Sequence, residues 1–310
     1  MALPTYRRIA AVTVVGLCVL VIAGGIVRLT GSGLGCDDWP ACNEASFVDV
    51  SSAHTAIEQV NRLLSGVIGL PVLALVVGAS RVRPRRSGLL GPSIGVLVTV
   101  LANAVVGGIA VRGDLHPALI QSHFALAMLS ISFGMVAVHR SAPAPVDPTT
   151  SPWATTERRL YLLVGALTAV ALATGTVVTG TGPHAGDEAA RRFGFDISTV
   201  AMIHSVTVWA TLAACLGLVA VLRRHGQYGD HASRLSTWLF VAVLQGGIGY
   251  VQYFNEVPEL LVGVHLAGAT VLWVVTMHIV LRAIEPLLGE PVERAATVRS
   301  SGPSGAFPAD

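Results

Sequence analysis

One stretch decides the fold, and it reads His54-Thr-Ala-Ile-Glu58-Gln-Val-Asn61-Arg62-Leu-Leu-Ser-Gly66. It opens an apolar run with a carboxylate, an amide and a guanidinium. On a helix, Glu58 and Asn61 share one face about one turn apart, and Arg62 can pair with Glu58. Ionisable groups at the mouth of a hydrophobic helix favour a functional site, because lipid rejects unpaired charge. An interfacial cap with a snorkelling Arg62 accounts for this stretch alone equally well.

The composition is that of a polytopic membrane protein. Of the 310 residues, 53% are hydrophobic and 12% are charged, with a mean hydropathy of +0.67. About eight apolar runs are long enough to cross a bilayer. They lie near residues 9–28, 57–79, 88–111, 117–138, 160–180, 198–222, 235–253 and 258–281. We therefore predict an all-α integral membrane protein with eight transmembrane helices. The net charge of +2 without a basic block argues against a nucleic-acid partner.

Arginine placement orients the chain in the membrane. One set of loops and helix ends holds Arg7, Arg8, Arg81, Arg83, Arg85, Arg86, Arg140, Arg158, Arg159, Arg223, Arg224, Arg234 and Arg282. The alternate loops are mainly acidic and hold only Arg112, Arg191 and Arg192. This distribution predicts a multi-pass membrane protein with both termini in the cytoplasm. The long loops over residues 31–56 and 181–197 then face outward.

The chain reads as a parallel duplication, with a pseudo-twofold axis along the membrane normal. The matching positions are Thr30-Gly-Ser-Gly33 with Thr179-Gly-Thr-Gly182, Gly107-Gly108-Ile109 with Gly246-Gly247-Ile248, Asn61 with His204, and His123 with His265. Two pseudo-symmetric four-helix bundles follow. We predict an N-terminal half over residues 1–140, a cytoplasmic linker over 141–158, a C-terminal half over 159–285 and a disordered cytoplasmic tail over 286–310.

Three histidines and one asparagine fall at a common depth. His123, His204 and His265 lie six or seven residues into spans four, six and eight, and Asn61 lies four into span two. All four positions are therefore roughly 6–10 Å below the outer surface. A neutral imidazole on facing helices is a natural haem iron ligand. A buried, hydrogen-bonded side chain explains any one of these histidines, but explains three in register less well. Zinc is disfavoured, because neither carboxylates nor cysteines accompany the histidines at metal-ligand spacing.

The first outer loop carries Cys36 and Cys42 on the oxidising side of the membrane. Two cysteines so close together in that compartment predict a disulfide. A structural staple is favoured over a redox-active pair, because neighbouring Asp37 and Asp38 disfavour a reactive thiolate.

The stretch Val27-Arg-Leu-Thr-Gly-Ser-Gly-Leu-Gly-Cys-Asp-Asp-Trp-Pro-Ala-Cys42 resembles the first outer loop of haem A synthases. Glu58-Gln-Val-Asn-Arg62 is similar to the Glu-x-x-His-Arg motif of that family, and single histidines in spans four, six and eight match as well. The resemblance covers about residues 7–282. It implies two four-helix halves, of which the C-terminal one binds a haem b cofactor between His204 and His265. The N-terminal half then binds haem O.

The reaction that this resemblance implies oxidises the C8 methyl of haem O, through a hydroxymethyl group, to the formyl group of haem A. The acidic residue next to the substrate falls on Glu58. The family's first histidine is Asn61 here, and an amide is a poor iron ligand. The substrate iron is therefore expected to be held by His123 alone. Arg28 and Arg62 are expected either to pair with haem propionates or to snorkel, and Trp39 to cover the site.

The partners that follow from the resemblance are haem O, membrane lipid and an electron acceptor of unspecified identity. Docking of a haem O synthase and homo-oligomer formation stay open. Two other classes also stay open. A di-haem electron carrier linked to quinol would hold both haems permanently. A transporter would place charges near the bilayer centre, whereas the polar positions here lie near its outer edge.

Overall fold

The computed structural model describes residues 1–86, 88–142 and 155–284, and within these ranges the regular structure is entirely α-helical. Eight helices follow one another along the chain. They are α1 (Leu3–Leu29), α2 (Ala53–Arg81), α3 (Leu90–Arg112), α4 (Pro117–Arg140), α5 (Thr155–Thr181), α6 (Ile197–Arg224), α7 (Tyr228–Phe254) and α8 (Glu259–Ile284). The predicted all-α fold is thus confirmed.

Seven of the helices, all except α7, are long and apolar enough to cross a membrane. Helix α7 has 27 residues but carries Gln245 and Gln252 among its apolar side chains. Helix α2 begins where Ser52 accepts a hydrogen bond from the Thr55 amide, and α6 begins where Asp196 accepts one from the Thr199 amide. Such side-chain caps satisfy amides that have no partner within the helix.

The helices form two closed rings of four. In the first ring α1 contacts α2 and α4, while α3 contacts α2 and α4; the second ring repeats this pattern with α5 to α8. Each ring has its own core. Tyr6, Leu75 and Ile131 are fully buried in the first, and Leu218 and Trp238 in the second.

Helices α1 and α4 of the first half pack against α5 and α8 of the second. The Trp273 indole of α8 donates hydrogen bonds to the Met128 carbonyl and to the Ser132 hydroxyl of α4, both at 3.0 Å. Leu266, also on α8, lies against Gly25 of α1 so closely that an added Cβ there would be only 2.5 Å from its side chain. Helix α8 is therefore a wall shared by both halves.

The predicted boundaries between the halves fall close to helix ends. Helix α4 ends at Arg140, where the N-terminal half was predicted to end. Helix α5 begins at Thr155, within the predicted linker over residues 141–158. Residues 143–154 of that linker, and the predicted tail over 286–310, lie outside the described residues.

Candidate functional site

The two histidines predicted to share a metal face each other across the C-terminal half. His204 comes from α6 and His265 from α8, and their ring centroids are 6.5 Å apart, with the ring planes nearly perpendicular. With metal–nitrogen bonds of about 2 Å, two imidazoles on one metal have centroids about 6 Å apart.

Each histidine lies against a glycine on the preceding helix. A Cβ added at Gly107, Gly175 or Gly249 would lie 3.1–3.2 Å from the Cε1 atom of His123, His204 or His265 respectively. The missing side chain lets the imidazole rest on the helix backbone. Among the described residues, the buried Nδ1 atoms of His123 and His265 have no hydrogen-bond partner.

Sequence analysis did not predict that these glycines pack against the histidines, and it matched Gly107 with Gly246, which is wrong. Gly249 packs against His265 as Gly107 packs against His123. An added Cβ at Gly246 would meet nothing within 4 Å. A signal was present in the sequence, because Gly107 and Gly249 each precede their histidine by the same 16 positions.

The C-terminal half fits a haem by the chemistry and the shape of its residues. The Thr174 hydroxyl lies 3.1 Å from His204 Nδ1, so that Nε2 is left for a metal. Metal-binding histidines usually have their second ring nitrogen held in this way, by a side chain or by the backbone. Two opposed imidazoles on facing helices suit a flat iron macrocycle.

The N-terminal half holds one histidine and a covering loop. His123 rests on Gly107 of α3, and Asn61 is a half-buried residue of α2. Trp39, which was expected to cover the site, packs its indole on Gly108, where an added Cβ would be only 2.6 Å from the ring. The loop therefore inserts an aromatic ring next to the glycine on which His123 rests.

Glu58 is buried, with 4% of its surface exposed, and both carboxylate oxygens accept hydrogen bonds. The Cys36 amide donates to Oε2 at 2.6 Å. Arg62 donates to Oε1 from Nε at 3.1 Å and from Nη2 at 2.6 Å. The predicted Glu58–Arg62 pair is present, and it lies beneath the loop as well as at the mouth of a helix.

Arg62 also ties the loop down, since its Nη1 donates to the carbonyls of Asp38 and Ala41 at 2.9 and 3.0 Å. All three of its nitrogens are therefore engaged with this chain. The predicted disulfide between Cys36 and Cys42 is confirmed and closes the same segment. Loop, disulfide and the Glu58–Arg62 pair thus form one connected unit.

Arg28 joins the two halves at their outer ends. Its Nε donates to the His184 carbonyl at 2.6 Å and its Nη2 to the Thr179 carbonyl at 2.7 Å. Thr179 lies in the last turn of α5, where carbonyls lack partners within the helix. Sequence analysis expected Arg28 either to pair with a haem propionate or to snorkel; here one of its nitrogens is bonded to the second outer loop and another to the end of α5.

A second attachment, which sequence analysis did not predict, joins the loop to α3 through Arg112, Asp38 and Trp39. We call these hydrogen bonds the strap. Arg112 donates to Asp38 Oδ1 at 2.8 Å and to the Trp39 carbonyl. Asp38 lies outside the helices, and its hydrogen bond with Arg112 lowers the pKa of its carboxyl group. The loop is therefore fastened to α2 by Arg62 and to α3 by Arg112, with Trp39 between them.

The fold and the opposed histidines define a class: an all-α membrane protein of two related four-helix halves, one of which carries a pair of facing imidazoles. A family model described as "Cytochrome oxidase assembly protein", COX15-CtaA, matches residues 7–277. The match covers most of the chain, so the chain belongs to this family, and the resemblance predicted from the first outer loop is confirmed.

Curated relatives match a shorter segment. Proteins named "Heme A synthase" from Bacillus mycoides (strain KBAB4) and Bacillus cereus (strain AH187) are 31% and 30% identical over 127 residues. A protein of the same name from Bacillus anthracis (strain CDC 684 / NRRL 3495) is 30% identical over the same length. The matched segment spans 41% of this chain and 41% of each relative.

Proposed function

We propose that this protein is a haem A synthase, an oxidoreductase that converts the C8 methyl of haem O, through a hydroxymethyl group, into the formyl group of haem A. Membership of the cytochrome oxidase assembly family and the names of the curated relatives support this assignment. The reaction also needs an electron acceptor, which is a separate partner. The bacterial relatives and the membrane-spanning helices support a location in the bacterial cell (inner) membrane, and the arginine distribution supports cytoplasmic termini.

The observation that carries the proposal is the difference between the two halves. The C-terminal half presents two histidines with ring centroids 6.5 Å apart. The equivalent positions of the N-terminal half are Asn61 and His123, beside a buried carboxylate under a fastened loop. Two strong ligands suit a resident cofactor, whereas one ligand and a carboxylate suit a haem that arrives, reacts and leaves.

His204 and His265 hold the cofactor, haem b, in the C-terminal half. Thr174 orients His204, while Gly175 and Gly249 let both rings rest on the neighbouring helices. When bound, haem b supplies one-electron redox chemistry.

In the N-terminal half, His123 anchors the substrate iron and Asn61 adds no strong ligand opposite it. With water as the oxygen source, conversion of a methyl to a formyl group passes four electrons to the acceptor and releases four protons. Glu58 is the buried carboxylate of this half, and it is the proposed acceptor for these protons. Arg62 and the Cys36 amide hold Glu58 in one orientation. The disulfide loop lies over Glu58 and is held there by Arg62 and Arg112.

The decisive experiment is to express the full chain with a haem O source, purify it and extract its pigment. We expect haem b together with formyl haem. A di-haem electron carrier would yield haem b without formyl haem, and a transporter would yield neither. His204→Ala and His265→Ala should each abolish the low-spin spectrum. Unchanged spectra in both variants would overturn the cofactor assignment.

A further inference from the structure

Three basic side chains gather at the end of the bundle opposite the disulfide loop. Arg234 lies in the second turn of α7, and His278 and Arg282 lie in the last turns of α8. We call these three residues the basic cluster. His278 and Arg282 are four residues apart, so they share one face of α8. The arginine distribution predicts that this end is cytoplasmic.

A buried hydrogen bond fixes the two helices beside the basic cluster. The Trp238 indole of α7 donates to the Thr276 hydroxyl of α8 at 2.8 Å, and both side chains are fully buried. Trp238 is one turn from Arg234, and Thr276 is two residues from His278. The cluster therefore lies directly beyond a buried contact that joins the two helices.

The basic cluster has positive neighbours but, among the residues that the structure describes, no carboxylate partner. His278 interacts electrostatically with Arg234, Arg282 and His139, and Arg234 with Arg282 and the Tyr161 hydroxyl. The Arg282 Nε atom is buried and has no hydrogen-bond partner. His278 itself is exposed on the surface of a helix that is apolar enough to span a membrane.

The two arginines of the cluster, held together at the membrane boundary, need a counter-anion, because their mutual repulsion and their partial burial both cost free energy. The bilayer surface itself supplies phosphodiester groups. Arginine suits such groups, since its planar fork can donate two hydrogen bonds to phosphate oxygens. Basic pockets between transmembrane helices on the cytoplasmic side bind anionic lipid head groups in this way.

We propose that the basic cluster of Arg234, His278 and Arg282 is a binding site for the phosphodiester head group of an anionic phospholipid. A lipid bound there would bridge α7 and α8 at the end of the C-terminal half farthest from His265. Simple snorkelling of the arginines would instead leave them in contact with any head group without preference.

The test is native mass spectrometry of the full chain in detergent. It is titrated with phosphatidylglycerol and, separately, with phosphatidylcholine of the same acyl chains. We expect phosphatidylglycerol to bind at least tenfold more tightly. The variant Arg234→Gln/Arg282→Gln should weaken its binding about thirtyfold, because each basic side chain near a membrane surface contributes roughly fivefold. The matched control is Arg7→Gln/Arg8→Gln, which removes two exposed arginines from the same side and should change binding less than twofold.

Equal binding of the two lipids by the unaltered chain would overturn the proposal without recourse to any variant. An equal loss in the control would also overturn it, since general surface charge would then suffice. Competition by millimolar inorganic phosphate, without any preference between lipids, would assign the site to a free anion instead. Increased lipid binding by Glu285→Gln would assign the cluster to a carboxylate of this chain. His278→Gln keeps the helix pair intact and should reduce binding severalfold.

Discussion

Three histidine rings pack against glycines of the neighbouring helices, where any larger residue would crowd the ring. Gly107, Gly175 and Gly249 leave room for an imidazole on the backbone of the neighbouring helix, and one added carbon would approach each ring to 3.1–3.2 Å. Contacts that short oblige the ring to move by a few tenths of an ångström. Ligand direction at a metal is sensitive to such shifts, because supporting contacts hold the ring in orientation.

Gly249→Ala should therefore lower the haem content of the C-terminal half. Loss of a group that orients a ligand typically costs about tenfold to a hundredfold in metal affinity. Gly246→Ala is the matched control, because it lies on the same helix, gains the same helix propensity and meets open space. Pyridine haemochrome spectra, normalised to protein, measure the difference. Equal haem loss in both variants would show that the glycine contact with His265 is unimportant.

Glu58→Gln should retain the low-spin haem and lose formyl-haem production. General acid–base assistance is typically worth about a hundredfold to ten-thousandfold in rate, and the amide keeps the size of the side chain but cannot take a proton. The control is Glu259→Gln, which removes an exposed carboxylate from the outer end of α8. Quantifying haem A by chromatography decides the matter. Parent-level haem A from Glu58→Gln would refute the catalytic role.

Asn61→His should create a second haem site with two histidine ligands. The position is the counterpart of His204, and an imidazole there would oppose His123 on the substrate iron. We expect additional low-spin signal in the absorption and paramagnetic resonance spectra when haem is supplied. Asn61→Gln, which restores no ligand, serves as the control. If Asn61→His adds no signal while His123 is intact, the two positions do not face one iron.

Among the larger elements, the loop between α1 and α2 is the one that departs from the symmetry of the halves. It is closed by the Cys36–Cys42 disulfide and bonded to Glu58 through the Cys36 amide. Cys36→Ser/Cys42→Ser should therefore disturb the environment of Glu58 and lower activity more than cofactor-haem content. Cys18→Ser, a change in a free cysteine within α1, is the control. A parallel fall in activity and haem content would indicate general misfolding instead.

The strap between the loop and α3 should depend on pH in a defined direction. Arg112 lowers the pKa of Asp38 below its usual value of about 3.9, so the folded loop favours the ionised carboxylate. The stabilisation is fully present above that usual value and is lost as the pH falls through the lowered pKa. It is small, because both partners are exposed.

Hydrogen exchange of the loop, corrected for intrinsic rates, should thus show constant protection from pH 7 to about 4 and less below. Asp38→Asn should reduce protection at neutral pH and flatten this dependence. Asp37→Asn, one residue away, should leave the profile as it is. A profile for Asp38→Asn that follows the parent protein throughout would remove Asp38 from the strap.

For the whole molecule, the apolar runs were enough to predict all eight helices, although α1 and α7 begin several residues before the predicted positions. The run over residues 117–138 became α4 (Pro117–Arg140). Helix α7 begins at Tyr228, seven residues before the predicted 235, because charged residues in its first turns hide the apolar pattern. The approach of His204 to His265 was predictable from their equal depth on parallel spans.

Hydrogen bonds between segments far apart in the chain could not be predicted from the sequence, because they depend on how the loops fold back. Arg62 was expected to pair with Glu58, and it does, but its bonds to two loop carbonyls depend on how residues 36–42 fold back. The same holds for Arg28, whose acceptors lie more than 150 residues away. The glycines were matched wrongly because the two Gly-Gly-Ile triplets were aligned with each other. Counting the residues between each glycine and its histidine would have selected Gly249 instead of Gly246.

Helix α8 links the two sites that we propose for haem. It carries His265, and the next residue, Leu266, lies against Gly25 of α1, while Trp273 is bonded to the α4 backbone five residues beyond His123. A displacement of α8 at His265 would therefore also move a wall of the N-terminal half. We expect filling of the proposed haem b site to change the affinity of the N-terminal half for its substrate haem.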